Sequence, residues 1–263
     1  METSSKSRKR QELLHDLILH NDELSASELA GRLQISEATI RRDLAALERR
    51  GLIERPWGRA RVRFPIRYLD DFKAVADREA AAKRSIAAAA IAHVKPGMVV
   101  GLSGGTTCTE LARWLRGKPI TVVTNAINVA TELYNHSLTK VIVTGGSLNS
   151  YSYELVGDMV SSALHEYSLD ICFVGCSGVC PDFGFSMRDH LESAVARAFL
   201  KVSMKSVVIA DHTKVGERTF AKFAPLGATE RLITDEGLSE AWQHRLETAG
   251  LRTERAPSLS RSV

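Results

Sequence analysis

Residues 35–44, with the sequence Ile-Ser-Glu-Ala-Thr-Ile-Arg-Arg-Asp-Leu, restrict the fold more than any other stretch of this 263-residue chain. Ser36 is a good N-cap, because its hydroxyl can accept from a free backbone N–H of the first helical turn. Ile40, Leu44 and Leu47 follow at helical spacing and form one apolar stripe. The stretch therefore predicts an amphipathic helix whose polar front carries hydroxyl and guanidinium groups.

Two further helices are predicted before this one. Residues 11–20 carry leucine and isoleucine at helical spacing, and Ser25 and Glu28 form a Ser-x-x-Glu capping box that opens a short helix to about Leu33. Three helices with a tight link at Gln34 before the last are typical of a helix-turn-helix.

A basic hairpin is predicted after the third helix. Gly51 is a plausible C-cap, and residues 52–62 form two short extended pieces around a Pro/Gly turn, as in a wing. Arginines recur there with no acid between them and would neutralise backbone phosphates: Arg55, Arg59, Arg61, Arg63 and Arg67.

Taken singly, each feature has an ordinary alternative, since capped amphipathic helices are common and Arg41-Arg42 could be a solvated face. The whole order of helix, two capped helices and basic hairpin is far more specific, and it predicts DNA binding. We assign DNA contacts to Ser36, Glu37, Thr39, Arg41, Arg42, Arg55, Trp57 and Arg59.

This region resembles the winged-helix domain of the DeoR family of bacterial transcriptional regulators. The resemblance is carried by Thr39-Ile40-Arg41-Arg42-Asp43-Leu44, followed by Leu47-Glu48 and Gly51. The wing departs from the family, which often has His-Gly-Gly-Ala where this chain has Trp57-Gly58-Arg59-Ala60. A bulkier and more basic wing tip is therefore expected.

Charge and composition fit a DNA-binding head on a neutral domain. Residues 41–63 hold eight arginines against three acids, whereas the whole chain has a net charge of only +4. The N-terminus is polar and no run of about 20 apolar residues occurs, so we expect a cytoplasmic protein. The four cysteines lack C-x-x-C spacing, which favours buried free thiols over a metal site.

The remaining chain predicts an α/β domain with a largely parallel sheet, because apolar strand-like runs alternate with helical patterns. The runs are residues 98–102, 120–124, 141–143, 171–174, 207–210 and 231–234, and the helical patterns are residues 79–93, 109–115, 128–134, 158–165 and 191–204. The predicted domains are a DNA-binding head at residues 8–63, a linker at 64–76, a sensor at 77–250 and a flexible tail at 251–263.

A ligand site is expected at the carboxyl ends of the strands. The turn at residues 103–107 has the form of a phosphate cradle, with glycine amides, threonine hydroxyls and a helix N-terminus. A glycine-rich turn with capping threonines is an equally good account of it. Polar turns after four other strands, with a lysine, favour a ligand cleft, which we assign to Ser103, Gly104, Gly105, Thr106, Thr107, Thr124, Asn125, Gly145, Gly146, Gly175, Ser177, Gly178 and Lys214.

Residues from about 83 to 236 resemble the DeoR-family sensor domain, which is similar in fold to ribose-5-phosphate isomerase. The matching phrases include Gly105-Thr106-Thr107, Thr124-Asn125, Glu192 with Arg197, and Asp211-x-x-Lys214. The resemblance implies a phosphorylated sugar as effector. Ser103 and Cys180 stand where the family often has aspartate, so carboxylates that could hold sugar hydroxyls are missing from those positions.

Two functions follow as hypotheses. The favoured one is a repressor of a carbohydrate-metabolism operon that is controlled by a phosphorylated sugar, binds double-stranded operator DNA as a homodimer or homotetramer, and needs no metal, cofactor or membrane. The alternative is a sugar-phosphate isomerase with a DNA-binding appendage. Isomerisation needs a carboxylate base beside the substrate carbon. Residues 173–180 contain no acidic residue, and the first acid after them is Asp182. This lack of a carboxylate argues against the enzyme.

Overall fold

The computed structural model describes residues 10–11, 13–14, 17–18, 21, 23–49, 53–55, 58–62 and 72–259. The chain divides into two compact units, residues 1–69 and residues 70–263. Several positions of the predicted wing lie outside the described residues, namely Gly51, Trp57, Arg63 and Arg67, as does the side chain of Arg61.

In the first unit, a helix-turn-helix lies beside a small antiparallel sheet. Leu13, Leu14, Leu17 and Ile18 are helical, and they are followed by helices α1 (Ala26–Leu33) and α2 (Glu37–Arg49). Strands β1 (Leu24–Ser25), β2 (Ile53–Glu54) and β3 (Arg59–Val62) form the sheet in the order β1-β3-β2. The predicted capping box is confirmed, because Ser25 Oγ accepts from Glu28 N at 3.2 Å and Glu28 Oε2 accepts from Ser25 N at 2.7 Å.

The apolar stripes of these helices form one core. Leu14, Ile18, Leu29, Ile40 and Leu44 are fully or almost fully buried in the same cluster. Burying a leucine or isoleucine side chain contributes about 1.5–3 kcal/mol. The core is therefore large enough to fix α2 on the first helical segment and α1.

The second unit is built on a parallel sheet of seven strands. Its order is β15-β14-β12-β9-β4-β5-β6, and the strands are β4 (Val99–Leu102), β5 (Ile120–Thr124), β6 (Thr139–Val143), β9 (Ile171–Val174), β12 (Ser206–Ile209), β14 (Arg231–Asp235) and β15 (Thr253–Ala256). The helices are α3 (Phe72–Asp77), α4 (Ala80–Ala90), α5 (Thr106–Leu115), α6 (Ile127–Leu133), α7 (Asp158–His165), α8 (His190–Val202) and α9 (Glu240–Thr248). The predicted α/β class is confirmed.

Both faces of this sheet are covered, which explains its continuously apolar strands. Successive side chains of a strand point to opposite faces. Ile171 and Phe173 of β9 accordingly pack in the cluster that contains residues of α4, α5 and α6. Cys172 and Val174 pack in the cluster that contains residues of α7 and α8.

Two smaller antiparallel elements were not anticipated from the sequence. Strands β7 (Ser147–Asn149) and β8 (Glu154–Val156) form a hairpin. Strands β10 (Gly178–Cys180), β11 (Gly184–Met187) and β13 (Ala221–Ala224) form a second sheet. Their short strands lack a sustained apolar alternation, so nothing local distinguishes them from turns.

The predicted flexible tail is wrong for its first part. Residues Thr253–Ala256 form β15, which pairs in parallel with β14 at the edge of the large sheet. An edge strand is paired on one side only and keeps polar side chains exposed, so the sequence Thr-Glu-Arg-Ala gave no apolar signal. The predicted linker is also too long, because its residues from Phe72 onward belong to α3.

No helix in the described part of the chain is long and apolar enough to cross a membrane.

If residues 253–256 form an ordered strand, substitutions at neighbouring positions should differ in their effect on stability. Ala256 is fully buried, whereas Arg255 beside it is exposed. We expect Ala256→Asp to lower the free energy of unfolding by more than about 2 kcal/mol, because it buries an unpaired charge. Arg255→Asp should stay within about 0.5 kcal/mol of the wild type. Urea denaturation followed by circular dichroism measures both, and equal effects would mean that the segment is not an ordered strand.

Candidate recognition helix and effector site

The exposed side of α2 carries the polar residues that the sequence assigns to DNA. Ile40, Leu44 and Leu47 are buried, whereas Arg41 and Arg42 are exposed. The major groove is wide enough to admit an α-helix. The structure therefore separates the two faces of α2 as the sequence predicts.

Hydrogen bonds order the beginning of α2. Ser36 Oγ accepts from Thr39 N at 3.4 Å, which confirms the predicted N-cap, and lies 2.8 Å from Thr39 Oγ1. Glu37 Oε1 accepts from Nε and Nη2 of Arg41 at 3.0 and 2.6 Å. Exposed ion pairs one helical turn apart contribute about 0.3–0.5 kcal/mol. A DNA phosphate or a base edge can therefore replace Glu37 as the partner of Arg41 at little cost in free energy.

Asp43 has a structural role that the sequence did not reveal. Its side chain is buried, and its carboxylate accepts from Nε of Arg10 and, at 3.2 Å, from Nε2 of Gln11. The hydrogen bond to Asp43 also raises the pKa of the Arg10 guanidinium. These contacts fix α2 against the first helical segment, which sets the direction in which Arg41 and Arg42 point.

The described arginines of the wing are paired with carboxylates, contrary to the acid-free strip in the sequence. Nε and Nη2 of Arg55 donate to Glu48 Oε2 at 2.8 and 2.6 Å. Arg59 Nη2 donates to Glu28 Oε2 at 3.1 Å and lies close to Glu23 as well. The acids come from α1, α2 and the segment before β1, so only the fold brings them there. Phosphate contacts by these arginines stay a prediction.

In the second unit, the loops after β4 and β9 meet. Ser103 N donates to Phe173 O at 3.1 Å, and Gly175 N donates to Ser103 Oγ at 3.2 Å. A Cβ at Gly175 would lie 3.4 Å from Gly104 O. The structure therefore brings Gly175 of the predicted cleft against Ser103 and Gly104, which lie about 70 residues earlier in the sequence.

Among the loops at the carboxyl ends of the parallel strands, the N-terminus of α5 is the part that suits an anion. Gly105 is its N-cap, with φ of 93°, and no side chain caps the helix. A Cβ at Gly105 would meet no atom within 4 Å, so the space on that side of the N-cap residue is open. Free first-turn N–H groups and the helix dipole favour a negative group there. Thr106 and Thr107 begin the helix at this point.

Gly104 differs from Gly105 because a carboxylate lies against it. A Cβ at residue 104 would lie 2.2 Å from Cγ of Glu154, which belongs to β8. The backbone N–H of Gly104 donates to this carboxylate. The glycine at 104 is therefore needed to make room for Glu154.

Asn125 joins the same group of residues. It is fully buried, and its Nδ2 donates to Glu154 Oε2 and to Leu155 O, both at 3.0 Å. Thr124 Oγ1 accepts from Ala126 N at 3.0 Å and so shapes the turn. The predicted pair Thr124-Asn125 thus lies at the cleft, with Asn125 facing Glu154.

A second carboxylate, that of Glu192 at the start of α8, is also almost buried, and it accepts from Asn149 Nδ2 at 3.0 Å. Burial, and next the charge of Glu192, raise the pKa of Glu154 to about 8. Burial likewise raises the pKa of Glu192.

Packing accounts for three other predicted glycines. A Cβ at Gly146 would lie 2.7 Å from Val160 Cγ2 of α7, and one at Gly178 would lie 2.6 Å from Glu217 O. Gly145 has φ of 76° and approaches Met159. Ser177 N donates to Ser186 O at 2.9 Å, within the small sheet. The role of these residues in binding an effector stays a prediction.

Lys214 follows β12 at the same edge. Asp211 caps the short helical turn His212–Lys214, with Oδ1 accepting from Thr213 N at 3.1 Å. The buried Lys83 of α4 lies in the electrostatic field of both Asp211 and Lys214. Its Nζ donates to the carbonyls of Val75 and Arg78, and burial lowers its pKa.

A histidine and an aspartate pair beside this turn. His212 Nδ1 lies 2.8 Å from Asp235 Oδ2, and His212 N donates to Asp235 Oδ1 at 2.8 Å. Hydrogen bonds from His212 and Gly237 outweigh burial and lower the pKa of Asp235. The pair holds the turn that carries Lys214 against the end of β14.

The cysteines are all free, with Cys108 and Cys172 buried and Cys176 and Cys180 partly accessible. Burial raises the pKa of Cys108 and of Cys176 to about 12, which favours the thiol over the thiolate at neutral pH. Within the described residues, no group of three or more His, Cys, Asp or Glu side chains could hold a metal ion.

The main residues that sequence reasoning missed at this edge are Glu154 and Lys83. Glu154 precedes Leu155 and Val156 in a short apolar run, and an acid beside such a run is a signal for a buried carboxylate. Lys83 lies in an alanine-rich helix and carried no comparable signal.

Comparisons with known proteins cover both units. The family described as DeoR C terminal sensor domain matches residues 78–236, and the DeoR-like helix-turn-helix domain matches residues 10–63. The HTH-type transcriptional regulator GlpR of Haloferax volcanii is 32% identical over 246 residues, which cover 92% of this chain and 95% of that protein.

Two further similarities extend the comparison. The putative aga operon transcriptional repressor of Escherichia coli O157:H7 is 29% identical over 246 residues, covering 92% of this chain and 91% of that protein. Ribose 5 phosphate isomerase A from Neisseria gonorrhoeae is similar over 52% of this chain and 53% of its own, with a TM-score of 0.37 and 22% identity.

The buried carboxylate of Glu154 predicts a pH dependence of stability. Its pKa is about 8 in the folded state, against an ordinary value of 4.5. The folded chain therefore holds this proton more tightly than the unfolded chain, and stability falls as pH rises from about 5 to 8. We expect the Tm of Glu154→Gln to fall less over this range than that of the wild type.

A matched control is Glu230→Gln. Arg231 lowers the pKa of Glu230, so its contribution to stability changes only below its ordinary pKa of 4.5. This variant should keep the wild-type slope between pH 5 and 8. Identical slopes in all three proteins would show that Glu154 is ionised in the folded state at these pH values.

Proposed function

The chain belongs to the DeoR family of transcriptional regulators, and from this membership we propose that it represses a carbohydrate-metabolism operon under the control of a phosphorylated sugar. It is a DNA-binding regulator and not an isomerase, since relatives that align along nine-tenths of their length are transcriptional regulators. One of these relatives is named as a repressor of the aga operon. The proposal places the protein in the cytoplasm, where its operator DNA lies.

The observation that carries the proposal is the pair of polar sites on one chain: the exposed arginines of α2 and the uncapped start of α5. Arg42 has no hydrogen bond or ion pair to any described residue, so it is available to DNA. Among the described residues, Arg41 pairs with Glu37, and this ion pair is exposed. Helix-turn-helix regulators read half-sites about one helical turn apart as dimers. We therefore propose a homodimer or homotetramer.

The anionic end of the effector would bind at the start of α5. The first-turn amides there and the ammonium group of Lys214 are positive groups at this edge, and a sugar phosphate supplies a matching dianion. The carboxyl groups of Glu154 and Glu192 supply no positive charge for a second anionic group nearby. A phosphate with an uncharged, hydroxylated remainder fits this distribution of charge.

We propose that Lys83 couples effector binding to the arrangement of the DNA-binding head. Its Nζ holds the carbonyl ends of α3, the element that follows the head in the sequence. Asp211 and Lys214 act on its charge from the effector edge. An anion at this edge would attract Lys83 and loosen its hold on α3. Effector binding would thus favour one arrangement of the heads by differential affinity.

Carboxylates do reach this edge, so the sequence argument against an isomerase was incomplete. Residues 173–180 hold no acid, but Glu154 and Glu192 arrive from β8 and α8. The assignment as a regulator therefore rests on the family and on the relatives, rather than on a lack of acids.

Substitutions in α2 test the DNA contact. Arg41→Ala and Arg42→Ala should each weaken binding by about 1–3 kcal/mol if the side chain meets a base edge. Binding is measured by fluorescence anisotropy on a duplex that the wild-type protein selects from a random library. Arg113→Ala, an exposed arginine of α5, is the matched control. Unchanged affinity in both α2 variants would defeat the assignment of α2 as the recognition helix.

Lys214→Ala tests the effector site separately. It should keep wild-type affinity for DNA and lose the response to the sugar phosphate that alters DNA binding of the wild type. That compound is found by a thermal-shift screen, since a ligand present at 100 times its Kd stabilises the folded state by about 2.7 kcal/mol. Lys201→Ala, an exposed lysine of α8, serves as control. A full response in the Lys214 variant would show that Lys214 does not bind the anion.

A further inference from the structure

The group around Glu154 contains more hydrogen-bond acceptors than donors. The carboxyl group of Glu154 accepts from Asn125 Nδ2 and from the Gly104 amide, and its two oxygens keep further acceptor capacity whether the group is protonated or ionised. Glu192 adds a second carboxylate, which accepts from Asn149 Nδ2. A ligand group that completes this arrangement must bring donors.

Asn125 gives independent evidence that this group of residues lacks a hydrogen-bond donor. Its side chain is fully buried, and its Oδ1 has no hydrogen-bond partner. The amide orientation is fixed, because Nδ2 faces two acceptors, Glu154 Oε2 and Leu155 O. Turning the amide would set Oδ1 against both of them. A buried acceptor left unpaired is unfavourable, and a hydroxyl donor from a ligand would satisfy it.

The anion of the effector finds no positive charge in this group. Glu192 and the N-cap Asp189 both lie near enough to Glu154 to raise its pKa. The positive end of the edge lies instead at the start of α5, immediately after Gly104. The site therefore has two parts. The start of α5 suits an anion, and the group around Glu154 supplies hydrogen-bond acceptors. The two parts meet at residues 104–105.

We propose that Glu154 and Asn125 form a hydroxyl-binding subsite, in which the Glu154 carboxylate and Asn125 Oδ1 accept hydrogen bonds from the polyol part of the effector. The inference rests on the proposed sugar-phosphate function and identifies the residues that select its sugar part. Glu154 thereby supplies, from β8, a carboxyl group beside Gly104. No residue of the loop at 103–107 itself carries one.

Because Asn125 and Glu154 are both buried, the proposed subsite requires the β7–β8 hairpin to shift before a ligand can reach it. The hairpin is attached to the turn after β5 by two backbone hydrogen bonds, Leu155 N to Asn125 O at 2.7 Å and Ile127 N to Tyr153 O at 3.0 Å. Tyr151 and Tyr153 on its tip are exposed. The same movement uncovers both acceptors, since Glu154 belongs to β8 and Asn125 lies beneath it.

Thermal-shift and calorimetric titrations of the full-length wild type, Glu154→Gln and Glu230→Gln test the subsite. The probes are inorganic phosphate, glycerol 3-phosphate, ribose 5-phosphate, fructose 1-phosphate, fructose 6-phosphate, glucose 6-phosphate and glucosamine 6-phosphate. The wild type should bind one hydroxylated phosphate much more tightly than inorganic phosphate. Glu154→Gln should weaken that binding about tenfold or more and leave the affinity for inorganic phosphate unchanged. Glu230→Gln should match the wild type.

Each other outcome contradicts a defined part of the inference. Tighter binding of inorganic phosphate by Glu154→Gln would mean that Glu154 competes with the anion and does not bind hydroxyls. Selective loss of glucosamine 6-phosphate alone would assign the carboxylate to an ammonium group. Equal sugar-phosphate affinity in wild type and variant would overturn the subsite while the proposed function stands. A wild type that binds none of the sugar phosphates would overturn the proposed function. If Glu154→Gln does not fold, Glu154→Asp, which keeps the charge on a shorter side chain, should show the same selective loss.

Discussion

The parallel direction of all seven strands in the large sheet is the constraint on which the rest of the sensor unit depends. Parallel strands need helical crossovers, and these cover both faces with apolar contacts. Polar groups are thereby confined mainly to the loops at the ends of the strands. Because every strand ends at the same side of the sheet, loops that are 72 residues apart in the sequence meet there, as the hydrogen bond from Gly175 N to Ser103 Oγ illustrates.

Charge at that edge is divided between two ends. Helix α5 begins without a side-chain cap and offers amides to an anion, whereas the hairpin at residues 147–156 presses the Glu154 carboxylate against Gly104. A buried carboxylate is costly in free energy unless hydrogen bonds compensate it, and only part of the compensation comes from the chain itself. The incomplete pairing around Asn125 is therefore where a ligand gains most.

In the DNA-binding head, ion pairs determine which arginines are available. Arg55 and Arg59 are held by Glu48 and Glu28, whereas Arg42 projects from α2 with no described partner. Exposed ion pairs contribute only about 0–1 kcal/mol, so phosphates can replace these carboxylates. The buried Asp43 is different, because its pairing with Arg10 fixes the position of the recognition helix itself.

The sequence by itself determined the elements with strong periodicity and clear caps: the helix-turn-helix, the Ser25 capping box, the apolar strands and the class of the sheet. Local side-chain pattern suffices for these, because caps and apolar periodicity act over a few residues. Only the tertiary structure decided that β15 belongs to the sheet, that Glu154 lies in the cleft, and that the wing arginines face acids. These contacts join residues distant in the sequence, and their energies depend on burial and pairing that no local pattern records.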